Sequence, residues 1–317
     1  MQKRRPGGGE RMEDFMSSTV GIDEIIEKAE VETWFQPVID LSAGKIVGYE
    51  ALSRGPRDSA LYMPQAMIAE AKSRGRIGEL DAVMRKKAVV TAVESGMHDL
   101  LFINVDPIAV CADEGDWGET VVSHSSDFGL PPRQVVLEVT ENSALCGLDR
   151  FYEMLLRYRS AGYSIAFDGI STPPQQISII AEVAPQFVKV SGRFVRQSGP
   201  ETAQKINSIL TVARAVGSKI VAVGVETPEE LRALREAGVE LVQGNLFGRP
   251  SSKPEELSEE ALRLLQAAPR PDEPQEQEPQ PAEPQPEKPQ TEEPQPEKPQ
   301  PEEPQPEEPQ TQEPQPE

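Results

Sequence analysis

Between residues 20 and 255, apolar and polar positions alternate between two regimes. Short β-rich runs occur at Trp34–Asp40, Lys45–Leu52, Leu101–Val105, Val135–Thr140, Ser164–Asp168, Phe187–Val190, Ile220–Val225 and Leu241–Gln243. Their length and their Val, Ile and Phe content predict strands. Helical periodicity fills most of the intervals, most clearly over Glu79–Glu94 and Glu201–Val216. Thr227-Pro-Glu-Glu230 predicts a helix start, with Thr227 as N-cap and Pro228 in the first turn. Only Leu41-Ser-Ala-Gly44 joins the first two runs, so they form a hairpin and pair antiparallel. The later runs are spaced for βα units and a parallel sheet. Eight such strands over roughly 230 residues predict an α/β fold, a (β/α)8 barrel of TIM type with an antiparallel first strand. A doubly wound open sheet is the alternative, but no Gly-rich phosphate loop follows an early strand.

The ends of the chain have different compositions. Residues 1–18 read as a flexible arm, 19–255 as the barrel and 256–267 as a C-terminal helix. Residues 268–317 form a tail that repeats EPQPEKPQ-type units from Glu283 onward, and these contain no recurring apolar residue. With nothing to bury, that Pro/Glu/Gln-rich tail is expected to be disordered and extended. It is read as a spacer, with capture of a proline-recognising partner as the sharper alternative.

Charge modifies this picture only slightly. Of the net −21, the tail contributes −12 from 15 acidic and 3 basic residues, which leaves −9 for the remainder. No clustered Lys/Arg surface for nucleic acid is implied. The two cysteines, Cys111 and Cys146, have neither disulfide-framework nor metal spacing. No signal peptide or membrane-spanning run is recognisable, so the expectation is a cytoplasmic protein with no membrane partner. His98 and His124 are isolated and read as surface residues.

Candidate chemistry lies where barrel chemistry is expected, at the C-terminal ends of strands. Glu50, Asn104, Glu138 and Asp168 come from four consecutive strands and all offer oxygen. A single such residue is usually a cap or an ion-pair partner. Four at equivalent positions suit a hard divalent cation, Mg2+ or Mn2+. Lys189 and Gln243 lie in the sixth and eighth runs, and Trp34 reads as core.

Phe35-Gln-Pro-Val-Ile-Asp40, Gly48-Tyr-Glu-Ala-Leu-Ser-Arg54, Glu138-Val-Thr-Glu141, Phe187-Val-Lys189, Gly224-Val-Glu-Thr227 and Gln243-Gly-Asn-Leu-Phe-Gly-Arg-Pro250 occur in that order. The series resembles the EAL domain family, whose members hydrolyse or bind cyclic di-GMP. The resemblance implies a barrel with an antiparallel first strand. It places the ligands of one cation on Glu50, Asn104, Glu138 and Asp168. It places nucleotide contacts on Gln36, Leu52, Arg54, Gln243, Phe247 and Pro250, with Arg54 on a phosphate. Active members use a second cation to hydrolyse one phosphodiester bond to pGpG. The two carboxylates that serve it correspond to Gly169 and Val223 here, and the loop after Asp168 reads Gly-Ile-Ser-Thr-Pro-Pro-Gln-Gln176. Lys189 persists as the residual catalytic group, and Glu226 lies three residues beyond Val223.

The resemblance thus implies a degenerate member. Such a chain keeps a single Mg2+ or Mn2+ site, binds cyclic di-GMP as a receptor with little or no hydrolysis, and signals to an unidentified protein partner. An active phosphodiesterase and a nucleotide-independent interaction scaffold are the alternatives. A homodimer is among the assemblies the resemblance admits.

Overall fold

The computed structural model describes residues 20–106, 125–140, 147–170, 174–191 and 200–267. Eight strands close a barrel in sequence order: β1 Glu32–Asp40, β2 Lys45–Arg54, β3 Leu100–Val105, β4 Val135–Thr140, β5 Ser164–Ile170, β6 Phe187–Ser191, β7 Lys219–Val223 and β8 Leu241–Gln243. β1 pairs antiparallel with both β2 and β8, and every other pair is parallel. The hairpin reading of Leu41–Gly44 therefore holds, and the fold is the expected barrel.

Helices in chain order are α1 Ile22–Lys28, α2 Pro64–Ser73, α3 Ile77–Glu94, α4 Leu148–Ser160, α5 Pro174–Val183, α6 Pro200–Ala215, α7 Pro228–Glu236 and α8 Glu259–Ala267. Thr227 caps α7 as read, its hydroxyl oxygen accepting the Glu230 amide at 3.3 Å. Several strands differ from the expected runs by one or two residues at an end: β1 starts at Glu32, and β2, β5 and β6 run on to Arg54, Ile170 and Ser191. β7 stops at Val223 rather than Val225, because the Val225 amide turns to the Gln243 carbonyl and its own carbonyl accepts from Leu246.

Strand alternation divides the side chains between two cores. Outward residues such as Leu101, Leu137, Ile165, Val188 and Ile220 pack under the helices. Inward residues fill the barrel with Val38, Phe102, Val136, Ala166, Phe187, Val221 and Leu241. Phe102 and Phe187 meet edge to face across it, with ring centroids 5.2 Å apart. Packing is close enough that a Cβ on Gly48 would lie 2.5 Å from the Leu100 carbonyl oxygen and 2.9 Å from the Phe102 ring. Only glycine lets β2 and β3 approach so closely beneath Glu50.

A smaller core joins α1, α2 and α3 through Ile22, Ile25, Met67, Ala71 and Leu80. Polar contacts connect these helices to the end of β3. Asp81, fully buried on α3, accepts the Asp106 amide at 3.0 Å and pairs with Arg85 at 2.6 Å. Lys72 on α2 reaches the Asp106 carboxylate at 2.7 Å.

Candidate functional site

Two residues along each strand from the inward apolar layer, the side chains change character. Val38 gives way to Gln36, Gly48 to Glu50, Phe102 to Asn104, Val136 to Glu138, Ala166 to Asp168, Phe187 to Lys189 and Leu241 to Gln243. On β7 the same step leads from Val221 to Val223, which packs onto the apolar layer. Seven of the eight strands thus present a polar group at the mouth, and β7 alone presents an aliphatic one.

Six of these polar groups form one hydrogen-bonded chain. Lys189 Nζ donates to Glu138 Oε1 at 2.6 Å and to Glu50 Oε2 at 2.8 Å. Gln243 Nε2 donates to the same Glu50 oxygen at 2.7 Å and to Gln36 Oε1 at 3.0 Å. Asn104 Nδ2 donates to Glu50 Oε1 at 3.0 Å, and Gln36 Nε2 donates to the Gly248 carbonyl at 3.1 Å. The chain thereby runs from the 244–250 segment to the floor of the acidic cluster. Lys189, Glu138 and Gln243 are each at most 3% exposed. Asn104 is exposed and Asp168 half-buried.

Burial and charge act differently on the two glutamates. Burial raises the Glu50 pKa, but the Lys189 charge and the Lys189, Gln243 and Asn104 hydrogen bonds outweigh it and hold the carboxyl at about 2. Burial and the charges of Glu50 and Asp168 push Glu138 well above the ordinary glutamate range, against the pull of Lys189. Lys189 is raised despite burial, because Glu138, Glu50 and Asp168 surround it with negative charge. One ammonium therefore balances two buried carboxylates, with Asp168 close enough to be felt by both Glu138 and Lys189.

The donor set fits a hard divalent cation in its chemistry, with three carboxylates and an amide. Glu138 Oε2 is buried without a hydrogen-bond partner, an acceptor left open to a cation or a donor. Lys189 stands between Glu50 and Glu138, and among the described residues no three His, Cys, Asp or Glu side chains already converge as a metal cage.

β5 delivers Asp168 through a register shift between Phe167 and Ile170. Gly169 lies in that irregularity with φ +75° and is exposed. A Cβ there would meet nothing within 4 Å, so the backbone conformation, not space, favours glycine. Glu226 is exposed beyond the end of β7, outside the polar ring that Val223 interrupts. Glu141, Cys111, Cys146 and His124 lie outside the described residues.

Of the expected nucleotide contacts, Gln36, Leu52, Arg54 and Pro250 are half-buried at the mouth, and Gln243 sits beneath them. Phe247 is only 4% exposed and packs in the outer core, which seats the 244–250 segment. That segment is also stitched to β1 by reciprocal Phe35–Ser251 backbone hydrogen bonds of 2.7 and 3.0 Å. β2 and β3 remain paired only as far as Ala51–Ile103. A cavity of ≈ 250 Å³ opens in that region, bounded by Glu50, Leu52 and Asn104 on one side and by Pro64, Ile68 and Arg85 on the other. Arg85, on a helix with no motif around it, was not expected there. Trp34, expected in the core, is instead half-buried beside Arg54.

The chain belongs to the EAL domain family, which matches residues 21–250. It is 30% identical over 229 residues to the cyclic di-GMP phosphodiesterase NbdA of Pseudomonas aeruginosa, covering 70% of this chain and 29% of that protein. It is 27% identical over 219 residues to the blue light- and temperature-regulated antirepressor BluF of Escherichia coli, covering 68% of this chain and 53% of BluF. The chain thus spans well under two thirds of either relative. Klebsiella pneumoniae BlrP1, solved as a manganese/cyclic di-GMP complex, superimposes with a TM-score of 0.65 at 26% identity, over 72% of this chain and 58% of BlrP1.

Proposed function

We propose that this domain is a cyclic di-GMP receptor with little or no hydrolytic activity. The observation that carries the reading is the make-up of the mouth. It is lined by Glu50, Asn104, Glu138, Asp168, Lys189, Gln243, Gln36 and Arg54, whereas the ring position on β7 is Val223 and the residue after Asp168 is Gly169. Neither an aliphatic side chain nor a glycine can ligate a cation or take a proton. Removing two members of a cooperating catalytic unit costs orders of magnitude in rate.

Binding needs less. Glu50, Asn104, Glu138 and Asp168 are the residues that would hold one Mg2+ or Mn2+, which when bound supplies positive charge toward a phosphate. Arg54 offers a guanidinium to the same kind of group. Gln36 and Gln243 present amides fixed by the hydrogen-bonded chain, and Leu52 and Pro250 provide apolar contact for a purine. Lys189, whose proton is held tightly, keeps the two glutamates ordered and is a poor base. BlrP1, solved with manganese and cyclic di-GMP, and NbdA, a cyclic di-GMP phosphodiesterase, support the ligand class.

Phosphodiesterase activity is the second reading, favoured by the complete set Glu50, Asn104, Glu138 and Asp168 and by the activity in the name of NbdA. An antirepressor among the relatives, BluF, favours transmission to a protein partner. Calorimetric titration of cyclic di-GMP into the full chain, with chromatography for pGpG, separates these readings. A receptor binds saturably without product, an enzyme accumulates pGpG, and a nucleotide-independent scaffold does neither.

A further inference from the structure

In the antiparallel β1–β2 pair, Glu32 lies opposite Arg54 and Trp34 opposite Leu52. A glutamate facing an arginine across two strands ordinarily forms the ion pair. Here it does not. The Glu32 carboxylate accepts the Trp34 indole N–H at 3.2 Å and lies 3.6 Å from Arg57 Nε. Arg54 instead rests over the Trp34 ring, with its guanidinium carbon 6.0 Å from the centroid, and donates to the Ser53 carbonyl at 3.2 Å. Among the described residues no carboxylate pairs with Arg54. Trp34 and Gln36 share one face of β1, so this ring lies on the mouth side of the barrel, one strand step from the Gln36–Gln243–Glu50 chain.

We propose that Trp34 is the positioning residue for Arg54. Its ring carries the guanidinium by a cation–π contact, and its indole N–H retains the Glu32 carboxylate that would otherwise neutralise it. Arg54 thus stays aimed at the mouth with donors available to a phosphate. The role rests on the cyclic di-GMP reading above, and it goes beyond that reading because it gives Trp34 a part in binding without a nucleotide contact of its own.

The chemistry distinguishes three substitutions. Trp34→Phe keeps a π face and loses the indole N–H. Trp34→Leu loses both and frees Glu32 to capture Arg54. Glu32→Gln removes the competitor. In calorimetry on the full chain, Trp34→Leu is expected to weaken cyclic di-GMP binding by about fivefold or more, and Trp34→Phe by less. Adding Glu32→Gln to Trp34→Leu is expected to recover part of the loss, which a purely structural role for Trp34 would not produce. Trp34→Leu binding as tightly as the parent, or a weakened Trp34→Leu that Glu32→Gln does not improve, overturns the proposal.

A second arm needs no nucleotide. The chain has two tryptophans, Trp34 and Trp117. With Trp117→Phe as background, Arg54→Met is expected to change the emission of Trp34 by removing the cation from its face. Unchanged emission overturns the placement of Arg54. If the parent protein takes up no cyclic di-GMP, the receptor reading fails in that titration, and the emission arm alone decides the Trp34–Arg54 relation.

Discussion

Lys189 Nζ lies 2.6 Å from Glu138 Oε1, and the two side chains are 2% and 0% exposed. They come from strands on either side of β5, and the same ammonium also reaches Glu50. A buried pair of this kind adds little net stability when complete, because desolvation offsets attraction, but it is costly to break.

Lys189→Met leaves Glu50 and Glu138 facing each other without a counter-charge. Urea unfolding is expected to register a loss of about 3–5 kcal/mol. Glu138→Gln combined with Lys189→Met is expected to be less damaging than the sum of the single changes, since one unpaired charge disappears. Additive losses would mean that the two groups do not act as a pair.

The two glutamates give opposite pH dependences. Glu50 is held at about 2, so the stability it contributes is complete above the ordinary glutamate pKa and is lost as pH falls towards about 2. Glu138 is raised, so its contribution is complete below the ordinary value and is lost as pH rises through its raised pKa. Relative to the parent, Glu138→Gln should therefore gain stability as pH rises above the ordinary glutamate range. Glu50→Gln should lose most at neutral pH and converge with the parent in strong acid. Denaturation midpoints from acid to mildly alkaline pH check both signs, and parallel curves for the two variants would contradict the assignment.

Gly169→Asp puts a side chain at φ +75°. Space is free there, so the expected cost is that of the backbone conformation alone, about 1 kcal/mol. A loss several times larger would mean that the surrounding loop rejects the side chain.

Val223→Glu places a carboxylate in the one aliphatic position of the mouth ring. On the receptor reading, neither Val223→Glu nor Gly169→Asp alone is expected to produce pGpG, because each supplies one of the two carboxylates that this reading takes to be required. The double variant is expected to gain divalent-cation-dependent product. Product from either single variant would show that the parental chain lacks only one group.

Gln243→Leu removes the donor shared by Gln36 and Glu50. Cyclic di-GMP affinity is expected to fall about tenfold, as for loss of a hydrogen bond to a charged group. Affinity equal to the parent would show that the relay from the 244–250 segment to Glu50 has no role in binding.

Much of this architecture was legible in the chain. The short apolar, β-rich runs located all eight strands, and the four-residue hairpin link gave the direction of β1. The polar residues at strand ends identified the mouth, because a carboxylate carried by an apolar strand needs a partner for its charge, and four successive strands bring three carboxylates and an amide to the same end. The missing parts are those that depend on distant partners. Lys189 meets residues 51 and 139 positions away, so its place between two glutamates follows only from barrel closure. α1 and α2 are short, and their apolar residues form a core only with α3. Phe247 reads as a nucleotide contact, and its packing in the outer core emerges only when the Phe35–Ser251 pairing folds its segment against β1. Trp34 reads as core because an aromatic residue in a strand usually is, and only the register with β2 places Arg54 over it.

The decisive experiment is titration calorimetry of cyclic di-GMP into the full chain, in Mg2+ and again in chelator, with pGpG followed in the same samples. A receptor that keeps one cation site gives saturable binding, weakened in chelator, with no pGpG in either buffer. Steady accumulation of pGpG in Mg2+, or no binding in both buffers, would contradict it.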